Sequence, residues 1–157
     1  MIMVNYYLYE RNAEISFVLD LLKEFDSYFI PNISDRQNLV NYSEKLAINA
    51  HIIVAKDDMK NIGFSAYYFN KSPKDTYLTL LAVNHDYQKL GIGSKLIDIM
   101  INFCKKNHSP GIMLEMRADD SKLFNFYTKL GFKIAETFKS PYNNEEKYYL
   151  HKNLTDE

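Results

Sequence analysis

Between Ile52 and Val83 three β-favouring segments follow one another with only polar breaks between them, and this run restricts the fold more than any other feature of the chain. The first is Ile52-Ile53-Val54-Ala55. The second runs from Ile62 to Phe69 after the turn residues Asp57-Asp58-Met59-Lys60-Asn61, and the third is Thr76 to Val83 after Lys71-Ser72-Pro73-Lys74-Asp75. Branched and aromatic side chains fit a pleated surface, whereas Asp, Asn, Ser and Pro favour the turns between. In the third segment Leu78, Leu80 and Ala82 alternate with Tyr77, Thr79, Leu81 and Val83, the period of two that sends one set to a covered face. Strands joined without helices form antiparallel meanders, so the middle of the chain predicts an antiparallel sheet.

Helical patterns flank this run. After a short aromatic strand, Val4 to Tyr9, a helix starts at Asn12 or Ala13 and carries Ile15, Val18, Leu19, Leu22 and Phe25 on one face. Pro31 disfavours helix at Ile30 and breaks it. Ser34 and Gln37 form a capping-box pattern that predicts a second helix through Leu39, Tyr42 and Leu46, ending near Ile48 or Asn49. Gly93 to Lys106 is apolar over more than half its circumference, which requires burial on two sides. Then follow a buried strand around Ile112–Met116, a helix marked by Leu123, Phe126, Tyr127 and Leu130 with Gly131 as its left-handed cap, and a closing hairpin of 132–138 and 147–152 around Pro141-Tyr142-Asn143-Asn144. The order βααβββαβαββ predicts an α/β protein of the α+β type, a mixed, mainly antiparallel sheet flanked by helices, in one domain over 1–157.

Charge narrows the functions. Nineteen Lys and Arg against 20 Asp and Glu give a net charge of −1, which removes electrostatic nucleic-acid binding as the default. The single cysteine, Cys104, excludes an intramolecular disulfide framework and fits a reducing, cytoplasmic setting. Inside an apolar helix it reads as a core residue. No apolar run reaches about 18 residues and no signal-peptide pattern opens the sequence, so neither export nor membrane association is expected. The four histidines lack ligand-like spacing, and no metal is expected.

The chemistry concentrates in Gln88-Lys89-Leu90-Gly91-Ile92-Gly93-Ser94, between the third strand and the apolar helix. Glycines without Cβ atoms let backbone N–H groups approach an anion, and a helix start adds the positive end of its dipole. Such a loop can cradle a pyrophosphate. It is not a Walker loop, since no Gly-Lys-Ser/Thr follows, and it lacks the glycine spacing and βαβ setting of a dinucleotide fingerprint.

The stretch from Leu81 to Leu96, with its Gln-x-x-Gly-x-Gly core at 88–93, resembles the acyl-CoA signature of the GNAT superfamily of N-acetyltransferases. A second block, Leu114-Glu115-Met116-Arg117 followed by Tyr127-Thr128-Lys129-Leu130-Gly131-Phe132, resembles the same family, and the ribosomal-protein N-terminal acetyltransferase branch in particular. The resemblance implies a V-shaped splay between the strands near 76–83 and 112–117 that receives the pantetheine arm of acetyl-CoA. The backbone of Leu81, Ala82 and Val83 would pair with that arm, and amides from Gln88, Lys89, Leu90, Gly91, Ile92, Gly93 and Ser94 would hold the pyrophosphate. Asp120 stands where the family commonly has asparagine; a carboxylate there accepts but cannot donate, though it can still cap a helix.

Tyr127 matches the tyrosine that protonates the departing CoA thiolate, a role suited to a phenol. Glu115, 12 positions before it, is the first candidate for the base that deprotonates the amine. His85, at the strand end with an intrinsic pKa near neutrality, competes with it. Tyr28, Phe29 and Tyr67 are candidates for the acceptor side, which suits a small-molecule amine, an amino sugar or a peptide amine. Two other readings stand beside the acetyltransferase: a non-catalytic acyl-CoA-binding module and a peptide-binding interaction domain. The closing hairpin is a candidate homodimer surface.

Overall fold

The computed structural model describes residues 2–155. The elements are β1 (Val4–Glu10), α1 (Ile15–Phe25), a 3-10 turn (Asp26–Tyr28), α2 (Ile33–Arg36), α3 (Leu39–Asn49), β2 (His51–Asp57), β3 (Lys60–Tyr68), β4 (Thr76–Val83), a second 3-10 turn (His85–Tyr87), α4 (Ile92–Lys106), β5 (Gly111–Arg117), α5 (Ser121–Lys129), β6 (Lys133–Lys139) and β7 (Glu146–Asn153). The strands form a seven-stranded sheet in the order β1-β2-β3-β4-β5-β7-β6. β1 with β2, β2 with β3, β5 with β7 and β6 with β7 are antiparallel. β4 and β5 run parallel, and their register, Thr76 to Ile112 and Tyr77 to Met113, stops after those two rungs.

The chain divides into two compact units, Met1–Tyr68 with Leu80–Met100 and Phe69–Thr79 with Ile101–Glu157. In the first, α1 and α3 lay Val18, Leu21, Leu22, Phe25, Tyr42 and Leu46 against Ile52, Val54, Phe64, Ala66, Leu80 and Ala82 of the strands. Leu22 and Phe25 have no exposed surface, and burying each stabilises the fold by roughly 1.5–3 kcal/mol. β4 alternates as its sequence requires, with Leu78, Leu80 and Ala82 buried between half-exposed neighbours. A Cβ on Gly63 would stand 2.9 Å from the Ala82 carbonyl oxygen, so the bare glycine is what lets β3 lie against the end of β4.

In the second unit β5 presents Ile112, Leu114 and Met116 to the interior and Glu115 to the outside. Its antiparallel partner β7 is flanked by β6, an edge strand exposed along nearly its whole length. α4 departs from the two-sided burial expected of it: Leu96, Ile97, Met100, Ile101 and Cys104 are buried along one broad face, while Lys95, Asp98, Asn102, Lys105 and Lys106 lie exposed on the other. Among the described residues no helix is long and apolar enough to cross a membrane.

Two helix starts differ from the sequence reading. α1 begins at Ile15, after Glu14 in extended conformation. Ser34 lies inside the one-turn α2, where its amide and hydroxyl both bond the Asp26 carboxylate, at 2.8 and 2.5 Å. Gln37 is extended, and α3 is capped by Asn38, whose side chain accepts the Asn41 amide at 3.0 Å. The Ser34–Gln37 box loses to this Asn cap because Asp26, eight residues back, already engages Ser34.

Candidate functional site

β4 leads into α4 through a turn that is pinned at several points. The Asn84 amide bonds the Ile62 carbonyl at 2.7 Å, and the Asn84 side chain accepts the Asp86 amide at 2.9 Å. Tyr87 donates its hydroxyl to Asp57 at 2.8 Å, an interaction that raises the phenol's pKa. Gln88 donates from Nε2 to the Val83 carbonyl at 3.1 Å, closing the turn on the end of β4. Leu81 and Val83 are half-exposed and Ala82 is buried.

The pinned turn ends in a backbone that only special residues tolerate. Lys89 has φ +68° and Gly91 φ +79°. Gly91 is exposed, and a Cβ placed on it would meet nothing within 4 Å, so the glycine is required by its conformation and faces open space. Its carbonyl accepts the Lys95 amide at 3.0 Å, which makes it the N-cap of α4. The amides of Ile92, Gly93 and Ser94 therefore sit in the first turn, without acceptors inside the helix. Exposed Leu90 and Lys89 flank them, with Ile92 buried beneath. An anionic group reaching this turn finds the first amides of α4 and the helix dipole, with open space at the Gly91 Cβ position.

In the second unit, Tyr127-Thr128-Lys129-Leu130-Gly131-Phe132 forms a Schellman cap. Gly131 takes φ +93°, its amide bonds the Thr128 carbonyl at 3.0 Å, and the Phe132 amide bonds the Tyr127 carbonyl at 3.1 Å. The apolar contact that accompanies such caps is the Tyr127–Phe132 pair, with centroids 5.5 Å apart. Phe126 closes on the other side at 5.1 Å. Tyr127 is 5% exposed, and burial raises the pKa of its phenol. Asp120 caps the other end of α5, accepting the Leu123 amide at 3.0 Å.

The remaining candidates fall in different settings. Glu115 is ion-paired to Lys147 of β7 at 2.9 Å. In the same unit a cavity of about 260 Å³ is lined by Arg117, Ala118, Asp119, Glu145, Glu146 and Tyr148, without Glu115. His85 stacks on Tyr28, with centroids 4.2 Å apart and planes 12° from parallel. Phe29 is half-buried, and Tyr67 is fully buried against His51 at 5.4 Å. Cys104 is buried with its sulfur 3.6 Å from Thr76 Oγ1, and burial pushes the thiol up to about 11, the state of a core residue.

Sequence reasoning missed Asp57, Lys147 and the pairing of Tyr28 with His85. Each contact joins residues at least 30 positions apart, on elements whose register no local pattern reveals.

The acetyltransferase (GNAT) family matches residues 17–132, and this chain belongs to it. Its similarity to N-alpha-acetyltransferase 50 of Danio rerio is 32% over 78 residues, 49% of this chain and 46% of that protein. To streptothricin acetyltransferase A of Bacillus subtilis it is 36% over 64 residues, 41% of this chain and 37% of that protein. The chain thus spans about half the length, or less, of the curated relatives it matches. Arabidopsis thaliana Naa50, solved with a bisubstrate analogue, shares the fold with a TM-score of 0.76 at 23% identity, over 96% of this chain and 98% of that one.

Proposed function

We propose that this protein transfers an acetyl group from acetyl-CoA to a primary amine by direct attack within a ternary complex. The observation that carries the reading is the turn at Gly91, where a positive φ, open space and the first amides of α4 coincide. Gln88 through Ser94 hold the pyrophosphate there, and Leu81 to Val83 pair with the pantetheine arm. Acetyl-CoA supplies the activated acyl thioester. Tyr127, a phenol that carries its proton at neutral pH, gives it to the sulfur as the C–S bond breaks. Glu115, its carboxylate held in place by Lys147, takes a proton from the acceptor ammonium, and the neutral amine so formed attacks the thioester carbonyl, forming the C–N bond as the C–S bond breaks. Asp120 fixes the start of the helix that carries Tyr127.

A peptide α-amine is the acceptor this reading favours, supported by the N-alpha-acetyltransferase relatives. The carboxylates of Asp119, Glu145 and Glu146 outnumber Arg117 around the cavity of the second unit, a balance that suits a cationic amine. The similarity to streptothricin acetyltransferase A supports a small-molecule amine as the second reading.

The test is release of free CoA thiol from acetyl-CoA with a panel of N-terminally free peptides, polyamines and amino sugars. Turnover with one class, reduced roughly 100-fold or more in Tyr127→Phe, supports the proposal. Acetyl-CoA binding with no turnover on any amine would favour the non-catalytic module instead.

A further inference from the structure

Among the anchors of the turn between β4 and α4, one comes from a part of the chain that sequence reasoning assigned to the acceptor. The His85 amide donates to the Tyr28 hydroxyl at 3.2 Å, and the two rings lie face to face at 4.2 Å. Tyr28 is itself held edge-on by Phe25 at 5.0 Å, and Phe25 rests on Phe64 of β3 at 5.4 Å. Phe25 and Phe64 are core residues, 0% and 2% exposed. An aromatic strut therefore runs from the core through Phe25 and Tyr28 to His85.

The other end of the strut is the donor loop. His85 Nδ1 lies 3.5 Å from Gln88 Nε2, and the same Gln88 nitrogen bonds the Val83 carbonyl. His85 thus stands beside the glutamine that closes the turn, just ahead of the positive-φ backbone at Lys89 and Gly91. An imidazole clamped flat on a phenol by one face, with a ring nitrogen turned toward a glutamine amide, is arranged to hold the loop and not to shuttle a proton.

We infer that Tyr28 is a positioning residue that acts through His85 to hold the acyl-donor loop, and that His85 serves as its stacking partner instead of as the base. The inference rests on the acetyl-CoA reading of that loop. Tyr28 then works on donor affinity although it follows α1 and touches no residue of the Gly91 turn.

The experiment combines calorimetric titration of acetyl-CoA, steady-state kinetics across pH, and hydrogen exchange at the amides of residues 85–88, on the wild type and Tyr28→Ala, Tyr28→Phe, His85→Ala and His85→Phe. Loss of one aromatic pair corresponds to roughly a 3- to 10-fold weakening, so Tyr28→Ala and His85→Ala raise the acetyl-CoA Kd and KM by that factor and speed exchange at 85–88. Tyr28→Phe keeps the stack and loses only the hydroxyl, giving a smaller rise. His85→Phe restores most of the affinity lost in His85→Ala and leaves the shape of the pH–kcat profile as in the wild type. Loss of the acid-side limb in His85→Phe would make His85 the base and overturn the proposal, as would a Tyr28→Ala variant that raises only the acceptor KM. Wild-type binding with all four variants unaffected overturns this proposal alone. Absence of wild-type acetyl-CoA binding overturns the underlying reading together with it.

Discussion

Gly91 and Gly131 share a backbone conformation, φ +79° and +93°, and differ in everything around it. Gly131 ends α5: its amide and that of Phe132 satisfy the last carbonyls of the helix, and a Cβ on it would stand 2.5 Å from Lys152 Nζ. Gly91 begins α4: its neighbouring amides have no acceptor inside the helix, and a Cβ on it would meet nothing. A glycine whose surroundings use up the backbone groups it exposes serves the fold. One that leaves donors open beside empty space leaves room for a ligand. On the proposed reading, the two motifs that look alike as glycine punctuation divide the work, with the Gly131 cap fixing Tyr127 and the Gly91 turn presenting the cradle.

Substitutions can break this division or sharpen it. The largest effect belongs to the side chain that the Gly131 cap holds. Tyr127→Phe keeps the ring between Phe126 and Phe132 and removes the proton donor, so kcat falls by about 10²- to 10⁴-fold while the acetyl-CoA Kd moves little. A parallel loss of affinity would place Tyr127 in binding instead. Next, Phe132→Ala removes the apolar half of the cap and costs about 3–5 kcal/mol of stability, measured by denaturant unfolding. Smaller still, Gly131→Ala is strained by its φ and lowers the unfolding free energy by about 1 kcal/mol, with no change in acetyl-CoA affinity. Asp120→Ala, at the other end of α5, costs about as much through loss of the N-cap.

Titration separates the two units as well. His51, in the unit that contains Gly91, is pushed down to about 4 from 6.5 by burial and by Arg11. The unfolded chain takes up that proton first as pH falls below 6.5, so stability declines between pH 6.5 and about 4. Tyr127, in the other unit, has its pKa raised by burial. Its contribution is present below the unfolded tyrosine value of about 10 and is lost as pH rises beyond it. Melting curves across pH should show an acid slope that flattens in His51→Asn and an alkaline slope that flattens in Tyr127→Phe.

Much of this was legible in the residues. The three successive strands, the alternation along β4 and the broad apolar face of α4 follow from periodicity, and both special glycines follow from their place at helix ends. The Tyr-x-x-Leu-Gly-Phe pattern is itself the chemical formula of a Schellman cap, an apolar C3 and C″ around a left-handed glycine. What stayed hidden depends on pairing at a distance. Ser34 reads as a cap until Asp26 is seen to hold it. Tyr67 and Tyr28 look alike as aromatic acceptor candidates, yet β3 turns Tyr67 fully inward while Tyr28 lies against His85, 57 residues away. Glu115 gives no sign in the sequence of Lys147, which the β5–β7 register sets opposite Arg117 and so diagonal to Glu115.

The central claim is that the Gly91 turn receives the acyl donor, and calorimetric titration of acetyl-CoA into the wild type, Gly91→Ala and Gly91→Glu tests it most directly. Both variants carry the same backbone strain, and neither meets a neighbour at Cβ, so their stabilities should shift alike; the glutamate alone adds a negative charge in front of the α4 amides. The account predicts binding by the wild type, weakened modestly in Gly91→Ala and by roughly 100-fold or more in a folded Gly91→Glu. Equal affinities in the two variants, or no binding by the wild type, would contradict it.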